Sequence, residues 1–202
     1  MEVGAFRQLT VTPQGLDFLS DQDQLSVTLE NSGNFAVAAE VVASVDWLRV
    51  EPTQPTIDPG QSVEIVVIVD RTSIAIGRQG GSLQISDGEE EFFIPVSVQV
   101  ERAILLGIAE SLVLGSESAL GELEISNDGN IPLEWTASLQ PVLTAIALKS
   151  GSGTIQPDET VQLVVEADTS GLAAGTYETT LKVESNGGGI SVAIIFRVGE
   201  RP

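Results

Sequence analysis

Thr56–Asp70 reads TIDPGQSVEIVVIVD, and Thr154–Asp168, 98 positions further on, reads TIQPDETVQLVVEAD. Extended without gaps to Ile85 and Val183, the two segments share Thr, Ile, Pro, three Val, Asp, Ala, Gly and Leu in register. Self-similarity at one fixed period means a single module used twice. The period is the length of a small domain, so the 202 residues divide into two, 1–101 and 102–202.

Inside the quoted stretch, Val63, Ile65, Val67 and Val69 alternate with Glu64, Val66 and Ile68. Period-two alternation is the signature of a half-buried strand. Upstream, Leu25, Val27 and Leu29 alternate in the same way and stop at Asn31-Ser-Gly-Asn34; Leu123 and Ile125 lead into Asn127-Asp-Gly-Asn130. Each tetrapeptide reads as a tight turn whose Gly and Asn take positive φ. Downstream, Ser73–Gly81 reads as a loop, and Ser82–Ser86 with Phe92–Val100 as a hairpin around Asp87-Gly-Glu-Glu-Glu91; Gly175–Glu184 and Gly189–Val198 repeat the hairpin. Short strands with turn signals every eight to twelve residues predict a sandwich. The fold class is therefore all-β, two tandem Ig-like antiparallel β-sandwiches. Val100-Glu-Arg-Ala103 offers almost no linker, so an end-to-end pair with little hinge motion is expected.

Composition narrows the function. The net charge of −20 argues against nucleic acid, whose phosphates require clustered Lys and Arg, and opposes an anionic membrane surface. No apolar run is long enough for a membrane-spanning helix. There is no His and no Cys, so Ser-His-Asp and Cys-His catalysis and zinc sites built on those ligands are absent. No enzyme activity, cofactor or metal is expected. Asp21-Gln-Asp23 and Glu89-Glu-Glu91 lack the alternating Asp/Asn-with-Gly pattern of a calcium loop and read as solvated turns.

Trp47-Leu-Arg-Val-Glu-Pro52, Ile57-Asp-Pro-Gly60 and Asp70 resemble the BACON domain, as do Gly151–Pro157, Gly171–Tyr177 and Ser185-Asn-Gly-Gly188. The resemblance implies Ig-like sandwiches of bacterial surface and secreted proteins, often beside carbohydrate-active modules. An extracellular or cell-surface location rests on it alone, since the opening MEVGAFRQLTV lacks a basic stretch followed by an apolar one. One departure stands out: Ala145 occupies the position of Trp47, and Trp135 lies ten residues before it.

Two readings of function follow. The first is a non-enzymatic structural or adhesive element of a surface assembly, self-associating as a filament subunit through strand exchange. Phe6, Leu9 and Val11 would then lie on a segment (Phe6–Thr12) that pairs with another chain's open edge. Val66, Ile68 and Phe93 would form an outward apolar patch confined to the first module, because the second carries Gln162, Val164 and Glu166. The alternative is a carbohydrate-binding module with Trp47, Trp135 and Tyr177 as stacking residues.

Overall fold

A computed structural model describes residues 4–107, 111–115, 120–168 and 170–199. The chain forms two compact units, Met1–Val100 and Glu101–Pro202. Each is a β-sandwich of two sheets.

In unit 1, β1 (Leu9–Thr12), β3 (Gln24–Asn31), β8 (Ser62–Val69) and β6 (Leu48–Glu51) form one antiparallel sheet in the order β1-β3-β8-β6. The facing sheet is β2-β10-β9-β5, from β2 (Leu16–Phe18), β10 (Glu91–Val100), β9 (Gly77–Ser86) and β5 (Glu40–Ala43). Only β2 runs parallel to its neighbour. β4 (Val37–Ala38) and β7 (Thr56–Ile57) form a separate short antiparallel pair.

Unit 2 repeats the plan. β11 (Leu105–Gly107), β13 (Leu120–Asn127), β17 (Thr160–Ala167) and β15 (Ile146–Leu148) lie in the order β11-β13-β17-β15. The second sheet is β12-β19-β18-β14-β16, made of β12 (Ser111–Leu114), β19 (Gly188–Val198), β18 (Gly175–Ser185), β14 (Leu133–Gln140) and β16 (Ser152–Ile155). β12 is again the parallel edge strand.

Alternation places the cores as expected. Ile65 and Val67 on β8, and Leu163 and Val165 on β17, are fully buried between the sheets. Where Val98 faces Phe18 across β10 and β2, Phe196 faces Leu114 across β19 and β12. The aromatic has moved to the opposite strand and an aliphatic has replaced it, so this layer of the core keeps one large and one smaller side chain.

Two expectations need correction. Gly33 and Gly129 do not adopt positive φ. Their missing Cβ makes room for backbone: a Cβ on Gly33 would lie 2.6 Å from the Phe6 carbonyl oxygen, and one on Gly129 2.1 Å from that of Arg102. The motif is a clasp. Asn31 is wholly buried; its Nδ2 donates to the carbonyls of Phe35 and Ile57, both at 2.9 Å, and its Oδ1 accepts from the Gly33 N–H. Asn127 donates to Ile131 and Ile155 and accepts from the N–H groups of Gly129 and Ile104. The second Asn of each motif receives the chain that leads into the module, Asn34 Oδ1 from the Phe6 N–H and Asn130 Oδ1 from the Arg102 N–H. Side-chain amides here supply the partners that buried backbone groups must have.

The stretch read as a loop, Ser73–Gly81, contains the first half of β9, which starts at Gly77. Gly81 is a strand residue under a bulky neighbourhood, since a Cβ there would meet Val45 at 2.7 Å and the Trp47 ring at 3.4 Å. In unit 2, Ser152–Ile155 forms β16, laid along β14. Gly153 is its counterpart of Gly81: a Cβ there would lie 3.1 Å from the Trp135 ring.

Candidate functional site

Sandwiches interact through edges and faces, so the edges of unit 1 are the place to begin. On the β5–β6 side a cleft of about 890 Å³ runs between Glu40–Ala43 and Leu48–Gln54. Its backbone is already occupied. The Val41 N–H donates to the Thr53 carbonyl and the Ala39 N–H to that of Pro55. Pro52 and Pro55 remove donors from the covering segment, a common way of blunting an edge.

The opposite side is different. β2 pairs with β10 only at Val96, Ser97 and Val98, so no described strand pairs with the outer edge of Glu91–Ile94. Pro95 fixes the direction of those groups. With no N–H to give β9, it belongs where its nitrogen faces away from that strand, and its carbonyl lies toward Gly15, on the β2 side. By strand alternation, Glu91 and Phe93 turn their own N–H and C=O to the same, open side.

A cleft of about 410 Å³ lies along this edge, lined by Leu9, Thr10 and Val11 of β1 and by Glu91–Ile94. Phe93 is 61% exposed. It shares a cross-strand row with Gln84 of β9 and Val42 of β5, and Val42 is also exposed. One end of the cleft is tied by Arg7. Its guanidinium donates to the Asp87 carbonyl at 2.9 Å, lies 3.9 Å from the Asp87 carboxylate and 3.7 Å from Glu89, and covers the Phe35 ring at 5.4 Å.

The Asp87 side chain is almost completely buried. Burial pushes its pKa up, but the N–H groups of Glu90 and Glu89 and the charge of Arg7 outweigh that and hold the carboxyl below the ordinary range. Glu90 and Glu91 continue the acidic rim on the exposed surface.

Unit 2 closes the equivalent end with backbone. The Leu105 N–H donates to the Gly187 carbonyl, and Ile190 packs onto Gly107, whose missing Cβ would lie 2.4 Å from it. Ser191 stands where unit 1 has Phe93, since it pairs with Lys182 as Phe93 pairs with Gln84. Among the described strands β12 likewise leaves Gly189–Val192 without an outer partner, so it is the exposed aromatic on this edge that belongs to unit 1.

The residues singled out from the sequence distribute as follows. Leu9 and Val11 line the cleft from within, but both are buried core residues, and β1 pairs with β3 of its own chain. Within the single chain each thus completes the interior of its own sandwich. Phe6 is exposed just ahead of β1. Val66 and Ile68 are half-buried on the outer face of β8, between Ser26 and Glu51 and between Gln24 and Arg49. Phe93 is on the other sheet, so the single patch expected from these three residues does not form.

The aromatic set is also divided. Trp135 is 4% exposed and belongs to the core of unit 2. Trp47 is half-buried against the core of unit 1, and Tyr177 packs on Phe196 with its hydroxyl donating to the Ala173 carbonyl. Trp135 borders a cleft of about 600 Å³ with Glu134, Thr136, Glu184 and Asn186, but only 4% of it is exposed there. Arg7, Asp87 and Val42 were missed; alternation from the buried Val41 was the signal for Val42, and nothing in the sequence pairs Arg7 with Asp87.

Asp70 and Asp168 cap the turn after the repeated strand. Thr72, through its hydroxyl and its N–H, lowers the pKa of Asp70, and Ser170 does the same for Asp168. Asp23 of the first acidic cluster is an ion-pair partner of Arg71 at 2.6 Å.

A family model described as a viral BACON domain matches the chain twice, over residues 8–101 and 109–195. No curated protein matches the sequence. Among solved structures, a protein of unknown function from Porphyromonas gingivalis W83 is similar, at 14% identity over 94% of this chain and 99% of that one, with a TM-score of 0.39. The chaperone–tip adhesion subunit complex of Acinetobacter baumannii Csu pili matches at 12% identity over 77% of this chain and 89% of that one, TM-score 0.42. The periplasmic chaperone SfaE matches at 11% identity over 94% and 100%, TM-score 0.42.

Proposed function

We propose that this chain, which belongs to the viral BACON domain family, is a non-enzymatic structural or adhesive element of a surface or extracellular assembly, and that unit 1 is its contact half. The observation that carries the reading is the exposed Phe93 on an open strand edge of unit 1, where unit 2 has Ser191. An exposed aromatic beside unpaired backbone favours contact with another polypeptide, which supplies both apolar surface and hydrogen-bonding partners. The mechanism is edge pairing with β10 rather than donation of β1, because releasing β1 would empty Leu9 and Val11 from their own core. Self-association into a filament is a narrower form of the same reading, and the charge of −20 works against it through repulsion between copies.

Carbohydrate binding is the runner-up. It needs one of the three aromatics to expose a stacking face, and Trp47 and Tyr177 do so only partly.

Hydrogen exchange tests the main reading, measured on the free chain and on the chain within the assembly it is isolated from. Slowed exchange at Glu91–Ile94 in the assembly is the expected result. No change in unit 1, together with glycan-dependent slowing around Trp47 or Tyr177, would overturn it in favour of sugar binding.

A further inference from the structure

The open edge also limits what kind of chain it can hold. The stretch Glu91–Ile94 is four residues long, about 13 Å at ~3.3 Å per residue. That length suits an extended segment laid beside β10 as an added strand. Such a segment takes its main-chain bonds from the outward groups of Glu91 and Phe93. Its own alternate side chains fall on the two faces of the sheet, one set toward the cleft walls of β1 and the other beside the Phe93 ring.

The charge around the edge selects further. Arg7 is occupied by Asp87 and Glu89, and beyond it the hairpin presents Glu90 and Glu91. Within a Debye length of about 8 Å at physiological salt, these carboxylates act on any strand that docks there. A second copy of this chain, with 29 acidic against 9 basic residues, is disfavoured as the source.

Resting on the reading of unit 1 as the contact half, we infer that β10 of unit 1 accepts an extended segment of a different protein as an additional strand, and that this segment alternates apolar residues with Lys or Arg. Pairing through backbone gives affinity, Phe93 supplies the apolar anchor, and Glu90 and Glu91 select basic residues.

The test is selection of a random linear peptide library against the whole chain, followed by fluorescence anisotropy with the enriched peptides. Enrichment of apolar residues alternating with Lys or Arg is expected. Phe93→Ser should weaken binding by about tenfold or more, as loss of an aromatic anchor does. Glu90→Gln with Glu91→Gln should weaken it less and flatten its salt dependence. Val142→Ser, at an exposed site of unit 2, should leave it unchanged. Replacing alternate peptide residues by Pro should abolish binding, because the added strand loses its donors. Enriched peptides without basic residues, or affinity indifferent to Phe93→Ser and to Pro, would overturn the inference. If no peptide is selected while exchange at Glu91–Ile94 still slows in the assembly, strand addition falls and the contact role of unit 1 stands.

Discussion

Units 1 and 2 solve the same packing problem with their large residues in different places. Unit 1 puts Phe18 on β2 against Val98, whereas unit 2 puts Phe196 on β19 against Leu114. Unit 1 has Trp47 over Gly81, with Ala39 where unit 2 has Trp135; unit 2 has Trp135 over Gly153, with Ala145 where unit 1 has Trp47. Each bulky residue carries its own small partner with it. What the comparison teaches is that total volume in a layer is held, while the strand that supplies it is free to change. The Asn clasp is the exception. It is present in both units with equivalent partners, apart from the Ile104 N–H that Asn127 alone also accepts from, because hydrogen-bond geometry, unlike volume, cannot be supplied from another strand.

Breaking the clasp is expected to have the largest effect. Asn31→Ala and Asn127→Ala each strand several buried N–H and C=O groups, at about 1–3 kcal/mol for each group left unpaired. Asn127→Ala should be the worse, since its Oδ1 also serves the Ile104 N–H. Each unit has one Trp, so fluorescence-monitored urea unfolding of Trp47→Phe and Trp135→Phe backgrounds reads the units separately. Equal, small losses would mean that the clasp is dispensable.

The exchanged core layer comes next. Val98→Phe alone in unit 1 should cost about 1–3 kcal/mol through overpacking. Phe18→Leu alone should cost a comparable amount through the space it leaves. Combined, they reproduce the unit 2 arrangement and should recover much of the loss, a coupling of about 0.5–3 kcal/mol in a double-mutant cycle. Simple additivity would show that the two layers are not interchangeable.

Acid separates the units more gently. Asp87, like Asp17 held by the Ser97 hydroxyl and Arg78, has its pKa lowered below the ordinary carboxylate range in the folded chain. A depressed folded pKa contributes stability that is complete above the unfolded value and is lost as pH falls through the folded one. Ser185 occupies the place of Asp87 in unit 2 and does not titrate, while Asp70 and Asp168 are common to both units. Lowering the pH from about 5 to about 2 should therefore destabilise unit 1 more than unit 2, and Arg7→Ala should narrow that difference. Identical acid profiles would show that the Arg7–Asp87 tie contributes little.

The smallest effect concerns one backbone angle. Gly60 has φ of 71°, and its repeat counterpart Asp158 takes 63° as a non-glycine residue. Asp158→Gly should stabilise unit 2 by up to about 1 kcal/mol, because Gly meets no Cβ penalty there. A loss of stability would show that the Asp158 side chain has a role of its own.

Much of this was readable from the chain. The alternation of Val63–Val69 placed Ile65, Val67 and Val69 in the core, and the 98-residue period gave two sandwiches. One Gly-rich stretch misled for a physical reason. Gly77–Gly81 looks like a loop by composition, yet it lies in a strand, and its Gly81 makes space for the Val45 and Trp47 side chains from elsewhere in the fold. The candidate site was legible only in part. Phe93 was identifiable as outward, but its separation from Val66 and Ile68 depends on which sheet each strand joins.

The sequence by itself determined the repeat, the strand periodicity, the paired Asn motifs and the acidity of the chain. Each depends on the order and type of neighbouring residues, so each is local. Only the tertiary structure decided that Asn31 and Asn127 bind backbone far along the chain, that Arg7 meets Asp87, and that Glu91–Ile94 remains an open edge. Those outcomes depend on which strands become neighbours, and that is fixed by packing two sheets face to face, not by any one stretch of residues.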